Sequence, residues 1–244
     1  MKAIVLAAGY ATRLYPLTKD FPKALLSVGG MPLLDHILMQ LDNIPEIDQI
    51  HVVSNDKFFP HFQAWAETKN DPRLHVHNDG TRDDGTKLGA VGDIAYVMQA
   101  AQLQDDCLIV AGDNLLSIDY GEFYEAYLSH GRRPLLLAQR MQDIQTLKRF
   151  GVAVLDEDNR IIELVEKPEI PQSDCGVFAL YLYPAEVMAT IVTYLAQGNS
   201  PDAPGNFPVW LVPRMPVYAY VTDRPCYDIG THESLAHVRS LYGN

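Results

Sequence analysis

The stretch Leu6-Ala7-Ala8-Gly9-Tyr10-Ala11-Thr12-Arg13-Leu14-Tyr15-Pro16-Leu17-Thr18-Lys19-Asp20-Phe21-Pro22-Lys23 decides how this chain is read. It grows out of an unbroken apolar run, residues 3–7, of the kind that suits a strand buried on both faces of a parallel sheet. The run then opens into a turn of small residues, whose backbone N–H groups can come close to an anion. Arg13 adds a planar fork for phosphate oxygens, and Lys23 a mobile point charge. In open α/β sheets ligands sit beyond the carboxyl ends of the strands, and this loop leaves such an end. The stretch holds neither GxxxxGK[ST] nor GxGxxG, which excludes a P-loop and disfavours a dinucleotide fold.

Outward from that loop the pattern repeats. Apolar runs recur at residues 50–53, 107–111 and 135–138. Between them Leu33, Leu34, Ile37, Leu38 and Leu41 follow helical spacing behind Pro32, as do Ala90, Val91, Ile94, Val97, Met98 and Ala101. Alternating strands and helices imply βαβ units and an α/β fold, with an open, twisted, mostly parallel sheet flanked by helices. Past residue 150 the rhythm changes. Residues 151–155 and 160–165 flank the polar turn Asp156-Glu157-Asp158-Asn159 and read as a β-hairpin, a small elaboration on the substrate side. Residues 175–183 read as a strand, 184–196 as helical, 199–206 as a loop and 217–221 as a late strand. Thr231 is placed to cap a final helix, with Glu233 in its first turn. No internal repeat or low-complexity linker interrupts the chain, so residues 1–244 are expected to form one domain.

Composition narrows the function. Of 244 residues, 48% are apolar, enough for a full core. A formal net charge of −12 argues against nucleic acid as a partner, because a phosphate backbone needs a basic surface. No apolar run is long enough to span a membrane, and the first residues turn polar too soon for a signal peptide. Three separated cysteines without a CxxC pair fit a reducing cytoplasm. The sequence leaves homo-oligomerisation open.

The long loop resembles the signature of the sugar-phosphate nucleotidyltransferases, L-A-[AG]-G-x-[AG]-T-R-L-x-P-L-T followed by P-K, over some fifteen positions. Further segments agree in order. Leu88-Gly89-Ala90-Val91-Gly92-Asp93-Ile94 resembles L-G-T-A-G-A-L, and Ala111-Gly112-Asp113-Asn114 resembles G-D-N. Phe150-Gly151-Val152 resembles Y-G-V, Val165-Glu166-Lys167-Pro168 resembles E-K-P, and Tyr227-Asp228-Ile229-Gly230-Thr231 resembles D-x-G-T.

The resemblance implies a Rossmann-like nucleotidyltransferase domain that takes an NTP and a phosphorylated small molecule. A phosphate oxygen attacks the α-phosphorus, and pyrophosphate leaves. A phosphate monoester is largely dianionic at neutral pH, so the nucleophile needs no general base. The difficulty is bringing two polyanions together, which calls for cations and Mg²⁺. Asp113 and Asp228 are the implied metal ligands, and two carboxylates with phosphate oxygens and waters suit octahedral Mg²⁺. Arg13 would hold the triphosphate and Lys23 would sit where donor and acceptor meet. Lys167 would hold the acceptor phosphate, making Arg13, Lys23, Asp113 and Lys167 the catalytic set. Ala8, Gly9, Thr12, Arg13, Asn78 and Gly89 would line the nucleotide side; Gly151, Glu166 and Lys167 would line the sugar side. Asn78 falls where relatives read the base, and its carboxamide can pair with uracil or thymine, or with cytosine in its other orientation. The expectation is transfer from an NTP, with UTP or dTTP slightly preferred, to a sugar 1-phosphate. Two alternatives stand beside it. One is a CTP-dependent enzyme for a phosphorylated alcohol such as phosphocholine, which calls for aromatic or acidic groups around a cation, with Tyr10, Tyr15, Tyr181 and Trp210 as the candidate aromatics. The other is a catalytically silent sugar-nucleotide sensor.

Overall fold

The computed structural model describes residues 1–243. Nine strands form its main sheet. In chain order they are β1 (Lys2–Leu6), β2 (Gln49–Ser54), β3 (Leu74–Asn78), β4 (Cys107–Ala111), β5 (Leu135–Arg140), β6 (Gly151–Leu155), β7 (Ile161–Glu166), β8 (Cys175–Tyr183) and β9 (Tyr218–Thr222). β1 lies between β2 and β4 and runs parallel to both; β3 extends the parallel block beyond β2. β8 runs antiparallel to its neighbours. Its C-terminal part pairs with β4, its N-terminal part with β6, and its other edge with β5. β9 joins β5 in parallel, and β7 closes the hairpin with β6.

The apolar runs sit where burial on both faces is needed. Ala3 and Val5 enter one core with Leu34, Phe62 and Phe123, whereas Ile4 enters a second with Val91, Ile94 and Phe207. The first face is covered by helices Leu33–Leu41, Phe59–Glu67 and Tyr120–Ser129; the second by Ala90–Ala100, Thr190–Ala196 and Asn206–Leu211. A fully buried aliphatic side chain contributes roughly 1.5–3 kcal/mol, so the two cores dominate stability. A third, smaller core joins Leu14 of the long loop to Ile229, Leu235 and Val238 near the end of the chain. It anchors the loop to the final helix, His232–Tyr242. Thr231 caps that helix, and Ser234 returns the bond: each side chain accepts the other residue's backbone N–H.

Local patterns account for the differences from the expected elements. The stretch expected to be helical at 184–196 is two helices, Ala185–Met188 and Thr190–Ala196. Helix Asn206–Leu211, only six residues long and containing Pro208, gives too short a periodic signal to be read in advance. The strand β3 and the helices Phe59–Glu67 and Tyr120–Ser129 also emerge only in the structure. Among the described residues no helix is long and apolar enough to cross a membrane.

The sheet positions the site through its order. The chain leaves β1 towards β2 on one side and later returns to β4 on the other. The loops after β1 and β4 therefore diverge from adjacent carboxyl ends, the switch point at which open α/β sheets bind ligands.

Candidate active site

At that switch point lies a cleft of about 490 Å³. Its floor is the loop after β1. Asn55, fully buried, donates from Nδ2 to the Ala8 carbonyl at 2.8 Å, and Thr18 donates from Oγ1 to the Ala11 carbonyl at 2.7 Å. These bonds hold the loop while the space beside Gly9 stays empty. Ala11 adopts φ 48°, a left-handed conformation that costs a non-glycine residue and concentrates at functional sites.

Two carboxylates arrive at the cleft from opposite ends of the sequence. Asp113 follows β4. Asp228 ends the short strand Cys226–Asp228, which pairs antiparallel with Asn114–Leu116, and the Ile229 N–H bonds the Asp113 carbonyl at 3.0 Å. Lys23 forms an ion pair with Asp113. Burial raises the Asp228 carboxyl pKa and the neighbouring Asp113 charge raises it further; Lys23, Arg13 and Arg149 pull it back. Gly230 lies against the Arg13 guanidinium and Asp228, where an added Cβ would sit 3.4 Å from both, in ordinary van der Waals contact. Among the described residues no group of three or more His, Cys, Asp or Glu gathers as a metal site. A cation here would therefore draw two hard oxygen donors from protein and the rest from elsewhere, a set that suits magnesium with phosphate and water.

The end of the hairpin forms the opposite wall. Glu166 closes β7, and its carboxylate fills the space beside Gly151 and Gly205; an added Cβ on Gly151 would lie 3.1 Å from Oε2. Burial raises the Glu166 carboxyl pKa, against the lowering charge of Lys167, whose Nζ lies 3.6 Å from Oε1. Lys167 has φ 48°, a left-handed conformation, and its exposed side chain lines the cleft wall beside Glu166.

The remaining end is acidic. Gly89, at φ 79°, precedes helix Ala90–Ala100, and a Cβ there would lie 2.5 Å from the Pro201 carbonyl. Pro201 and Asp202 accept the Val91 and Ala90 N–H groups, each at 2.9 Å, which docks the 199–205 loop over the cleft. Lys87 bridges the rim to Asp202 at 2.9 Å. Beneath them lies Asp93, 6% exposed, next to Asp79. Asp79 accepts from the Thr81 N–H at 2.7 Å and the Thr81 hydroxyl at 3.0 Å, and Thr81 bonds the Tyr10 hydroxyl at 3.1 Å.

The structure thus brings Ala8, Gly9, Thr12, Arg13, Lys23, Gly89, Asp113, Gly151, Glu166, Lys167 and Asp228 to one cleft. It does not bring Asn78 there. The Asn78 side chain donates to Asp56 at 2.9 Å and accepts from the Gly80 N–H at 2.9 Å, so its carboxamide is consumed in shaping the turn. The four rings considered for a cation cage do not assemble either. Tyr10 and Tyr181 line the cleft, Tyr15 does not, and Trp210 stacks on Phe207 and Arg214. The structure adds Arg149, Asp93 and Gly205 to the cleft lining and Asn55 to the bracing beneath it. Of these, Asp93 had a signal in sequence: an acid within an apolar helical face, where the resembled motif has alanine.

Comparison with known proteins identifies the family. The model of the family "Nucleotidyl transferase" matches residues 2–244, and the chain belongs to that family. It is 33% identical over 194 residues to the "Putative mannose-1-phosphate guanyltransferase" of Sulfolobus acidocaldarius, a match covering 78% of this chain and 50% of that protein. It is 29% identical to the UTP–glucose-1-phosphate uridylyltransferase AglF of Haloferax volcanii, covering 75% and 72%. Among solved structures, the "Putative Glucose-1-Phosphate Thymidylyltransferase" of Bacillus anthracis superposes with a TM-score of 0.84 at 25% identity, over 99% of this chain and 95% of that one. The matched region is about half the length of the Sulfolobus relative and 42% of the bifunctional protein GlmU of Methanocaldococcus jannaschii.

Proposed function

We propose that the protein transfers a nucleoside monophosphate from an NTP to a sugar 1-phosphate, giving an NDP-sugar and pyrophosphate, and that its 244 residues act as one catalytic domain. The convergence of Asp113, Asp228, Arg13 and Lys23 at the switch point, with Glu166 and Lys167 opposite, carries this reading. In it the loop after β1 and Arg13 receive the triphosphate. Lys167 holds the acceptor phosphate and Glu166 accepts hydrogen bonds from sugar hydroxyls. An acceptor phosphate oxygen forms the new bond to the α-phosphorus, and the bond to the β-phosphate oxygen breaks. Arg13 meets the charge that grows on the departing pyrophosphate. Asp113 and Asp228 fit Mg²⁺, which would neutralise phosphate charge. Lys23, paired with Asp113, is placed to turn towards phosphate when the substrates arrive.

The expected preference for UTP or dTTP rested on Asn78, whose carboxamide is engaged elsewhere, so base choice has to come from the acidic end of the cleft. The phosphocholine alternative has no ring cage to support it. The silent-sensor alternative is disfavoured because both carboxylates and Lys23 are in place. The test is to incubate the protein with each NTP, Mg²⁺ and a panel of sugar 1-phosphates, and to identify the product by mass. An NDP-sugar supports the proposal; no adduct with any pair sinks it.

A further inference from the structure

The acidic end of the cleft contains one buried side-chain atom without a partner. Asp93 is 6% exposed and lines the cleft, and its Oδ1 has no hydrogen-bond donor. Buried polar atoms are nearly always satisfied, and a native exception calls for an explanation. Asp93 sits one turn into helix Ala90–Ala100, on a side otherwise given to apolar core residues. Asp79 stands beside it, with its own oxygens occupied by the backbone and hydroxyl of Thr81. Asp83 and Asp84 add negative charge around Tyr10 on the same rim.

We propose that Asp93, supported by Asp79, reads the base of the nucleotide and selects one bearing an exocyclic amino group: adenine, cytosine or guanine. This rests on the transferase reading above and names the donor class for the same cleft.

The argument is one of donors and acceptors. An acceptor without a donor calls for an N–H from the ligand. An amino group supplies that N–H at the outer edge of the base, free of flanking carbonyls on one side. Uracil and thymine carry a single pairing N–H, on a ring nitrogen between two carbonyl oxygens. Aiming that N–H at Asp93 would press a carbonyl against the acidic cluster. Burial and the Asp79 charge push the Asp93 carboxyl pKa up to about 8. At neutral pH it therefore keeps a proton that can bridge to Asp79 while Oδ1 remains an acceptor. A site built to bond one edge rejects the analogue that leaves its polar atoms unpaired.

Equilibrium binding of ATP, CTP, GTP, UTP and dTTP to the full chain, with Mg²⁺ and no acceptor, tests this. At least one of ATP, CTP and GTP should bind about ten- to a hundredfold more tightly than UTP and dTTP. Asp93→Ala removes the acceptor and should narrow that gap by about tenfold or more, with the melting temperature followed in parallel. UTP or dTTP binding tightest, all five binding alike, or Asp93→Ala keeping the wild-type ratios would overturn the inference. If the variant does not fold, the wild-type order decides by itself. A clear preference for an amino-bearing NTP, with no sugar-nucleotide product from any pair, would uphold base reading and sink only the transfer.

Discussion

The two ends of the cleft are built on opposite principles. The phosphate end is a loop and two carboxylates set among cations, Arg13, Lys23 and Arg149, with its backbone braced from below by Asn55 and Thr18. The base end is a crowded acidic turn, where Asp79 and Asp93 face each other and no cation is among the groups acting on Asp93. The first arrangement suits any triphosphate; the second can suit only some bases. On the proposed reading, the transfer chemistry therefore resides in the loops after β1 and β4, and base choice in the segment from β3 into the helix that follows.

Variants at the phosphate end should have the largest effects. Asp113→Asn and Asp228→Asn should each reduce kcat by about a thousandfold, the upper range for losing preorganised electrostatic stabilisation. Both should melt near wild type, since Asp228 is unfavourably buried beside another carboxylate. Unchanged turnover at saturating Mg²⁺ would break the contrast at its strongest point. Arg13→Lys keeps the charge but loses the fork, and should lower kcat roughly ten- to a hundredfold without moving the melt. Wild-type turnover would mean that Arg13 is only a loop cation. On the acceptor wall, Lys167→Ala should raise the KM for sugar 1-phosphate by roughly tenfold, the scale of one charge-assisted hydrogen bond. NTP affinity measured alone should stay as it was, and a collapse of NTP affinity instead would show that the two walls have been assigned backwards.

The smallest effect on turnover should come from a region outside the cleft. His51, His75 and His77 cluster on β2 and β3, with His51 Nδ1 2.9 Å from His77 Nε2 and its own Nε2 buried without a partner. Burial, then the neighbouring histidines, depress the His51 pKa to about 4, and burial also lowers that of His77. The unfolded chain thus takes up protons first as the pH falls below about 6.5. Stability should be fully present above that value and be lost between about 6.5 and 4, on the order of 3 kcal/mol from His51. Chemical denaturation across that range, repeated on His51→Gln, measures it; an identical pH slope in the variant would contradict the assignment. Turnover at neutral pH should not change.

The same contrast explains what could be read from sequence. The phosphate loop was legible because its demands are local: small residues for close approach, a fork, a lysine and a buried strand before them. Asp113 and Asp228 were legible only as motif members, since nothing in linear spacing predicts that two residues 114 positions apart will pair, as Asn114 and Asp228 do. Asn78 misled because side-chain chemistry does not reveal prior engagement, and Asp56 had claimed its amide. Asp93 was not legible because its place inside an apolar helical stripe does not tell whether an acid there is solvated, and the structure buries it to 6% exposure. Gly205 carries no sequence signal at all; its role is to leave room for Glu166.

The central claim is that this cleft joins two phosphate esters, and the stoichiometry of wild-type turnover tests it most directly. With the preferred NTP, Mg²⁺ and a sugar 1-phosphate, ³¹P NMR should show one pyrophosphate formed for each sugar 1-phosphate consumed. Neither should change when one substrate is left out. Pyrophosphate appearing at the same rate without the sugar phosphate, or inorganic phosphate in its place, would contradict the account.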